Sequence, residues 1–197
     1  EMCGTDIEEV GSSSPKKKFT KIFNNEIEFR GDITDESISE LIETSETWFK
    51  DNYYQYGKYP SLYRLHFQSD GGSVPAGNRF IDYLSWRVKK ICKNTKVIVD
   101  CIAGSAGAMI VLAFDYRYMT ERATIMLHQI SWALPWDQTN QLIGGTNWLK
   151  AMQERDIAWI VSRTKMDQAT VEKYIVDSKY FSAQEALGVG IITNILS

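Results

Sequence analysis

One serine of this chain stands in a run of small residues, where a hydroxyl could do chemistry. Ser105 lies in the segment IAGSAGAMI, residues 102–110. The pattern predicts a strand, VIVDCIAG, that ends just before Ser105 and a helix, AGAMIVLAF, that begins just after it. Backbone N–H groups are free at a helix start, so a hydroxyl there can act as a nucleophile beside donors for an oxyanion. The alternative is that Ser105 only caps the helix, which is the commoner role of serine at such a junction.

The chain has two histidines, and one of them could be the base for that serine. His128 ends the predicted strand ATIMLH, at the edge of an α/β sheet where ligands commonly bind. His66 lies inside an alternating strand and is interpreted as structural. A serine nucleophile needs a base, most often histidine, so His128 is the candidate. Taken alone, a histidine at a strand end is more often a packing residue.

A glycine pair is the third candidate feature. The predicted strand YRLHFQS is followed by DGGSV, residues 70–74. Paired glycines allow a sharp turn that presents backbone N–H groups. On its own, the segment is better explained as an ordinary turn.

Alternating strands and helices are expected to position these residues. Strands are predicted in FTKIFNNEIEFRG, SLYRLHFQS, KVIVDCIAG, YRYMT and ATIMLH. Helices are predicted in DITDESISELIETSETWFKDN, with Thr34 or Asp35 as its N-cap, in NRFIDYLSWRVKKIC and AGAMIVLAF, and over about 139–163 and 168–176. The segments SAQEALGVG and IITNIL close the chain. This alternation predicts an α/β layered fold with a largely parallel sheet.

The composition argues against several classes of protein. A chain of 197 residues, 44% of them hydrophobic, is long enough for one domain with a core. The net charge of −3 argues against a general nucleic-acid binder, and Lys16–Lys18 is interpreted as part of a flexible N-terminal segment, residues 1–18. No apolar run approaches the ~20 residues of a membrane span. Cys3, Cys92 and Cys101 lack metal-ligand spacing and are interpreted as reduced thiols of a cytoplasmic protein.

Three features follow one another in the chain: the glycine pair, the serine among small residues and the strand-ending His-Gln. In this order they resemble the motifs of the ClpP peptidases, the proteolytic subunits of Clp machines. The matching segments are QSDGGSVPAG, IAGSAGAMI, ATIMLHQ and YFSAQEALGVGIITNIL, and the resemblance covers residues 19–197 as one peptidase domain. It implies the ClpP/crotonase-like α/β fold, with layered repeats of strand and helix and a protruding helix–strand handle. It also implies Ser105 as nucleophile, His128 as general base, and the backbone N–H groups of Gly72 and Ala106 as the oxyanion hole.

The activity that the resemblance implies is endopeptidase hydrolysis of unfolded polypeptides through an acyl-enzyme. No metal and no organic cofactor is implied, and neither nucleic acid nor membrane is an implied partner. The family forms two stacked seven-membered rings, so a homo-oligomer is expected, with residues 139–163 as the ring–ring handle. Its apolar residues suit a buried interface, although core packing explains them nearly as well: Leu142, Ile143, Leu149, Met152, Trp159 and Ile160.

Three segments depart from the family pattern. Asp70 stands where proline is usual, and ISWALPWDQTN, residues 130–140, replaces a Gly-rich strand that guides substrate. The cleavage preference of the family is therefore not carried over. The family implies a AAA+ Clp unfoldase as partner. Arg64 and His66 stand where aromatic residues of its docking cleft are usual, although Tyr118 is aromatic, so we expect this cleft to differ.

The third member of a Ser-His-Asp triad has two assignments. Counting back from SAQEA places the family's aspartate position on Ser178, whereas the nearest carboxylate is that of Asp177. Adjacent residues of an extended strand point to opposite faces, so a bulge or turn would be needed to bring Asp177 to His128. Asp177 is the predicted acid, and Ser178 or no carboxylate at all is the alternative.

Two other functions remain open. A catalytically impaired structural or regulatory ring subunit fits the misplaced acid, although Ser105 and His128 are intact. An acyl-CoA enzyme of the wider crotonase-like group is a weaker alternative, since no phosphate- or adenine-binding feature stands out in the sequence.

Overall fold

The computed structural model describes residues 18–131 and 139–197, without the side chains of 139–143. Residues 1–17, with Cys3, and residues 132–138 of the unusual segment after His128 lie outside this description, as do the side chains of Leu142 and Ile143. Within the described part, no helix is long and apolar enough to cross a membrane.

An eight-stranded sheet forms the centre of the protein, in the order β1-β2-β3-β4-β5-β8, with β6 beside β4 and β7 beside β6. The strands are β1 (Thr20–Phe23), β2 (Glu26–Arg30), β3 (Leu62–Ser69), β4 (Asn94–Gly104), β5 (Tyr116–Thr120), β6 (Thr124–Met126), β7 (Tyr180–Phe181) and β8 (Asn194–Leu196). Two pairs are antiparallel, β1 with β2 and β6 with β7, and the other pairs are parallel. The predicted α/β fold with a largely parallel sheet is confirmed.

The helices follow the strands in the chain order that the sequence predicts. They are α1 (Asp35–Tyr56), α2 (Val74–Tyr83), which continues as a π-helical turn (Leu84–Val88), α3 (Lys89–Ile91), α4 (Ala106–Leu112), α5 (Thr139–Arg163), α6 (Gln168–Val176) and α7 (Ala183–Gly188). Thr34 and Asp35 were the two predicted N-caps of α1. The structure has Thr34 in this role, in a capping box with Ser37. Helix α2 packs against α1 and α4, and α5 packs against α4 and α6.

The alternation of β3 explains how the core forms on one face of the sheet. Tyr63, Leu65 and Phe67 are fully buried, whereas Arg64 and His66 on the opposite face are only half-buried. Period-two alternation places successive side chains on opposite faces of the sheet, so the three apolar side chains pack together on the core side.

Strand β4 brings the candidate residues to one edge of the sheet. Its first half pairs with β5, and its last residues pair with β6, where Gly104 lies opposite Met126. Ser105 directly follows β4, and His128 follows β6 by two residues. Because β4 and β6 run parallel, their carboxyl ends meet at the same edge, which places both side chains there.

Candidate active site

Ser105 forms a sharp turn between β4 and α4. Its backbone has φ 54° and ψ −123°, a conformation that is costly for a residue with a Cβ. Its N–H donates to the carbonyl of Met126 at 2.9 Å, which ties the turn to β6. The Ser105 side chain makes no capping hydrogen bond to α4. Ser105 thus occupies the N-cap position of α4, but its half-buried side chain does not cap the helix.

The glycine pair lies directly against Ser105. A Cβ built on Gly71, where φ is +116°, would stand 2.7 Å from the Cβ of Ser105 and 2.9 Å from the carbonyl oxygen of Gly104. Only glycine fits there, because the backbone is left-handed and the neighbour is too close. This turn therefore has a stricter requirement for glycine than the ordinary turn that the sequence alone favoured.

Gly72 is held by an isolated parallel bridge to Ile33. The Ile33 N–H donates to the Gly71 carbonyl, and the Ser73 N–H donates to the Ile33 carbonyl, both at 2.8 Å. The N–H of Gly72 points away from this bridge, and no acceptor within the described residues binds it. Ala106, the first residue of α4, likewise has an N–H that precedes the helical hydrogen-bond ladder. The two predicted oxyanion donors are therefore unoccupied on the described chain.

His128 and Ser105 line the same cleft, although the chain separates them by a helix and two strands. The cleft measures about 30 Å³. Most of its wall is apolar, and two polar side chains of α5 complete it. The lining residues besides Ser105 and His128 are Val74, Ala106, Met109, Leu127, Ile130, Gln153, Asp156, Ile160 and Ile175. Within the described chain no hydrogen bond joins the Ser105 hydroxyl to the His128 ring; such contacts are often long before substrate binds.

The predicted acid lies at the end of α6. Asp177 is the C-cap of this helix, is exposed, and is not among the residues that line the cleft. Ser178 follows with φ 51°. Met126 pairs with Tyr180, and the Leu127 N–H donates to the Lys179 carbonyl at 3.0 Å, so the chain after α6 runs antiparallel beside the residues that lead to His128. The Ser178 N–H donates back to the Ile175 carbonyl at 3.3 Å. Asp177 stays a prediction as the orienting acid.

A carboxylate that was not predicted from the sequence lines the cleft. Asp156 of α5 is 8% exposed, and burial raises the pKa of its carboxyl, partly offset by Arg155, whose Nη2 lies 3.6 Å from Asp156 Oδ1. The available signal was its spacing. Asp156 stands four residues after Met152 and four before Ile160, both buried, so it occupies a core position of the helix.

The residues that the resemblance assigns to a docking cleft take part in polar and ionic contacts. Glu26 accepts hydrogen bonds from Arg64 and His66 on the half-buried face of β3, and Lys96 lies 3.8 Å from the ring centre of Tyr118. Partial burial opposes ionisation of Glu26, but the bonds from His66 and Arg64 prevail and lower its pKa. The difference from the family's aromatic docking cleft stays a prediction.

The comparisons with known proteins cover the region that carries the site. A family model described as Clp protease matches residues 61–197. The ATP-dependent Clp protease proteolytic subunit 1 of Chlamydia muridarum (strain MoPn / Nigg) is 32% identical over 132 residues, which are 65% of this chain and 66% of the relative. The same-named protein of Chlamydia trachomatis serovar D is 31% identical over the same shares. The match thus spans just under two thirds of each relative's length. Since the family model covers well over half of the chain, the chain belongs to the Clp protease family.

Proposed function

We propose that this protein is a serine-type endopeptidase subunit that hydrolyses peptide bonds of unfolded polypeptides. Ser105 is the nucleophile, His128 is the general base, and the N–H groups of Gly72 and Ala106 bind the oxyanion. Membership of the Clp protease family supports the reaction class. The observation that carries the residue assignment is the strained Ser105, whose hydroxyl does not cap α4 and faces the same cleft as His128.

The reaction follows from these positions. His128 takes the Ser105 proton as the hydroxyl oxygen attacks the peptide carbonyl carbon, and the two N–H groups bind the oxygen that becomes negative. The tetrahedral intermediate collapses, the C–N bond breaks, and His128 returns the proton to the leaving amine. Water then attacks the acyl-enzyme by the same route and restores Ser105. None of these steps calls on a metal or an organic cofactor.

For the third group we propose Asp177, which is next in the chain to Ser178, the residue at the family's aspartate position. Its carboxylate would bond the second ring nitrogen of His128, set the tautomer, and stabilise the imidazolium. The approach requires a small rearrangement after the last turn of α6, where Asp177 is exposed and Ser178 has φ 51°. Ser178 is the alternative, since its hydroxyl oxygen can accept a hydrogen bond from the same ring N–H but supplies no charge.

A closed assembly of two stacked seven-membered rings is the proposed working form. The relatives are named as proteolytic subunits of an ATP-dependent Clp protease. This chain has several large aromatic side chains with substantial exposed area, which suits burial between copies. They include Tyr53, Tyr54, Tyr56, Tyr59, Trp86 and Trp148. We propose a AAA+ Clp unfoldase as the partner, docking on a surface that contains the Glu26 cluster rather than aromatic residues.

A second candidate is a ring subunit that assembles but does not hydrolyse peptides. Serine at the family's aspartate position favours it, because a Ser-His pair without a carboxylate loses much of its rate.

Labelling with a small uncharged fluorophosphonate distinguishes the two. The purified protein is treated with the probe, and the modified peptide is mapped by mass spectrometry. Modification of Ser105 alone, lost in His128→Ala, supports the peptidase. Modification of another serine, or of none, contradicts it. Ser182→Ala is a suitable control, because that serine caps α7 away from the cleft.

A further inference from the structure

A buried carboxylate stands in the wall of the cleft beside Ser105, and the chemistry proposed above does not use it. Asp156 projects from α5 into a wall made of apolar side chains, among them Val74, Met109 and Ile160. An ionised carboxylate in such a place costs free energy unless a partner compensates it. Within the described residues, its ion-pair partner is Arg155, at 3.6 Å, and the Arg155 side chain is 59% exposed. That contact is too long for a hydrogen bond and leaves Asp156 incompletely paired.

Asp156 also marks the boundary of a second, larger cavity. This cavity measures about 260 Å³ and lies between α2 and α5. Met109 and Asp156 line both spaces, so they form the partition between them. Methionine has a flexible side chain that adapts to a ligand at low cost. A long side chain entering beside Ser105 can therefore displace Met109 and reach past Asp156.

The charges of the larger cavity favour a cation. Its wall carries two carboxylates, those of Asp82 and Asp156, against the single guanidinium of Arg155. Asn78 and Ser85 add side-chain oxygen atoms there that can accept a hydrogen bond from a cationic head. The lining is thus apolar near Ser105 and anionic in the larger cavity, farther from Ser105. This matches a Lys or Arg side chain, whose methylenes pack on apolar walls while its head pairs with a carboxylate.

Position relative to the nucleophile identifies which substrate residue enters. The attacked carbonyl carbon must approach Ser105, so the side chain on that same residue enters the recess adjoining Ser105. In serine peptidases this recess sets the preference for the residue before the scissile bond. We propose that Asp156 is a specificity residue of this protein, which directs cleavage to the bond after Lys or Arg. This inference rests on the proposed peptidase function.

Peptides that differ in one residue test it. The full-length protein is assayed with fluorogenic peptides of one sequence, in which the residue before the scissile bond is Lys, Arg, Leu, Gln or Glu. We expect kcat/KM for Lys and Arg to exceed that for Leu at least tenfold, and Glu to be poorest. Equal or better cleavage of the Leu or Gln peptide by the unmodified protein would overturn the inference, and this comparison requires no variant.

Variants of Asp156 test the cause of the preference. Asp156→Asn should lower kcat/KM for Lys and Arg by about a hundredfold, the range for losing a charge-assisted pair in a desolvated site, and leave the Leu peptide within about threefold. Asp156→Leu should prefer the Leu peptide. Glu154→Gln is the matched control, because this acid is exposed on the same helix and lines neither cavity; it should keep the original preference.

The outcomes separate this inference from the proposed function. An equal loss for all peptides in Asp156→Asn, together with slower fluorophosphonate labelling of Ser105, would assign Asp156 to orienting His128 and overturn the specificity role. If the protein cleaves the peptides and the probe labels Ser105, but Asp156→Asn has the same substrate preference, this inference is overturned and the proposed peptidase function stands. Absence of both labelling and cleavage would overturn the proposed function, and this inference with it.

Discussion

The backbone N–H of Ser105 donates a hydrogen bond to the carbonyl of Met126 at 2.9 Å. This bond extends the β4–β6 pairing by one residue beyond Gly104, just where the chain turns sharply into α4. It fixes the distance between the turn that carries the proposed nucleophile and the strand whose end carries His128. The two side chains therefore depend on a single local piece of the sheet.

Removal of the Ser105 hydroxyl should abolish the activity without disturbing assembly. We expect Ser105→Ala to lower kcat for peptide cleavage by about a million-fold, the usual effect of losing a triad nucleophile. The sedimentation coefficient should equal that of the unmodified protein. Peptidase activity that survives in Ser105→Ala would refute the assignment.

The two candidates for the third catalytic group predict opposite mutant results. Asp177→Asn should lower kcat about ten-thousandfold, because His128 would lose the carboxylate that sets its tautomer. Ser178→Ala should then have little effect. The two variants are compared by kcat on one peptide and by melting temperature.

A near-normal rate for Asp177→Asn would show that Asp177 does not serve. In that case Ser178→Asp is informative, because aspartate tolerates the left-handed backbone found there and would place a carboxylate at the family's aspartate position. A large gain in kcat for Ser178→Asp would identify position 178 as the vacant acid position.

Close packing of Gly71 on Ser105 predicts a strong effect of one methyl group. Gly71→Ala should lower the free energy of unfolding by roughly 1–3 kcal/mol and slow fluorophosphonate labelling, because the new Cβ meets the Ser105 Cβ and φ is positive. Gly144→Ala in α5 is the control, since a Cβ there meets nothing within 4 Å. It should stabilise the helix by up to about 1 kcal/mol. Equal stability of Gly71→Ala and the unmodified protein would contradict the observed packing.

Asp156 should reduce stability at neutral pH, as expected for a residue kept for function rather than folding. Burial raises its pKa above the ordinary value of 3.8, so the folded state disfavours the ionised carboxyl. Asp156→Asn should therefore raise Tm at pH 7. The advantage is constant above the raised pKa, shrinks as the pH falls through it, and disappears below 3.8, where both states are protonated.

Thermal unfolding of Asp156→Asn and the unmodified protein between pH 3 and 8 measures that difference. Glu154→Gln, on the exposed side of α5, is the control, and its Tm is measured over the same pH range. A lower Tm for Asp156→Asn at pH 7 would indicate that the carboxylate has a stabilising partner, contrary to the structure.

The proposed assembly predicts a large particle in solution. Sedimentation velocity at micromolar concentration should give a mass close to that of two seven-membered rings, because the exposed aromatic side chains lose their contact with water there. A folded monomer under these conditions would refute the assembly and leave the proposed catalytic residues to be judged by labelling.

Local patterns of the sequence determined much of the fold and part of the site. The alternation in β3, the N-cap Thr34 and the small residues around Ser105 are short-range features, so the strands, helices and the Ser105 turn could be predicted from them. His128 was predicted because a strand end and a parallel sheet bring it to the same edge as Ser105. The strand end before His128 is likewise recognised from a few neighbouring residues.

The tertiary structure alone decided which carboxylate faces the cleft. Asp177, the acid predicted from its position in the chain, is the exposed C-cap of α6 and is not among the residues that line the cleft, and its role stays a prediction. Asp156 entered the cleft because α5 packs against α4 and α6, which turns one particular side of the helix inward. Helical periodicity marked Asp156 as a core position, but only the packing of distant elements determined that this core position borders Ser105 and His128.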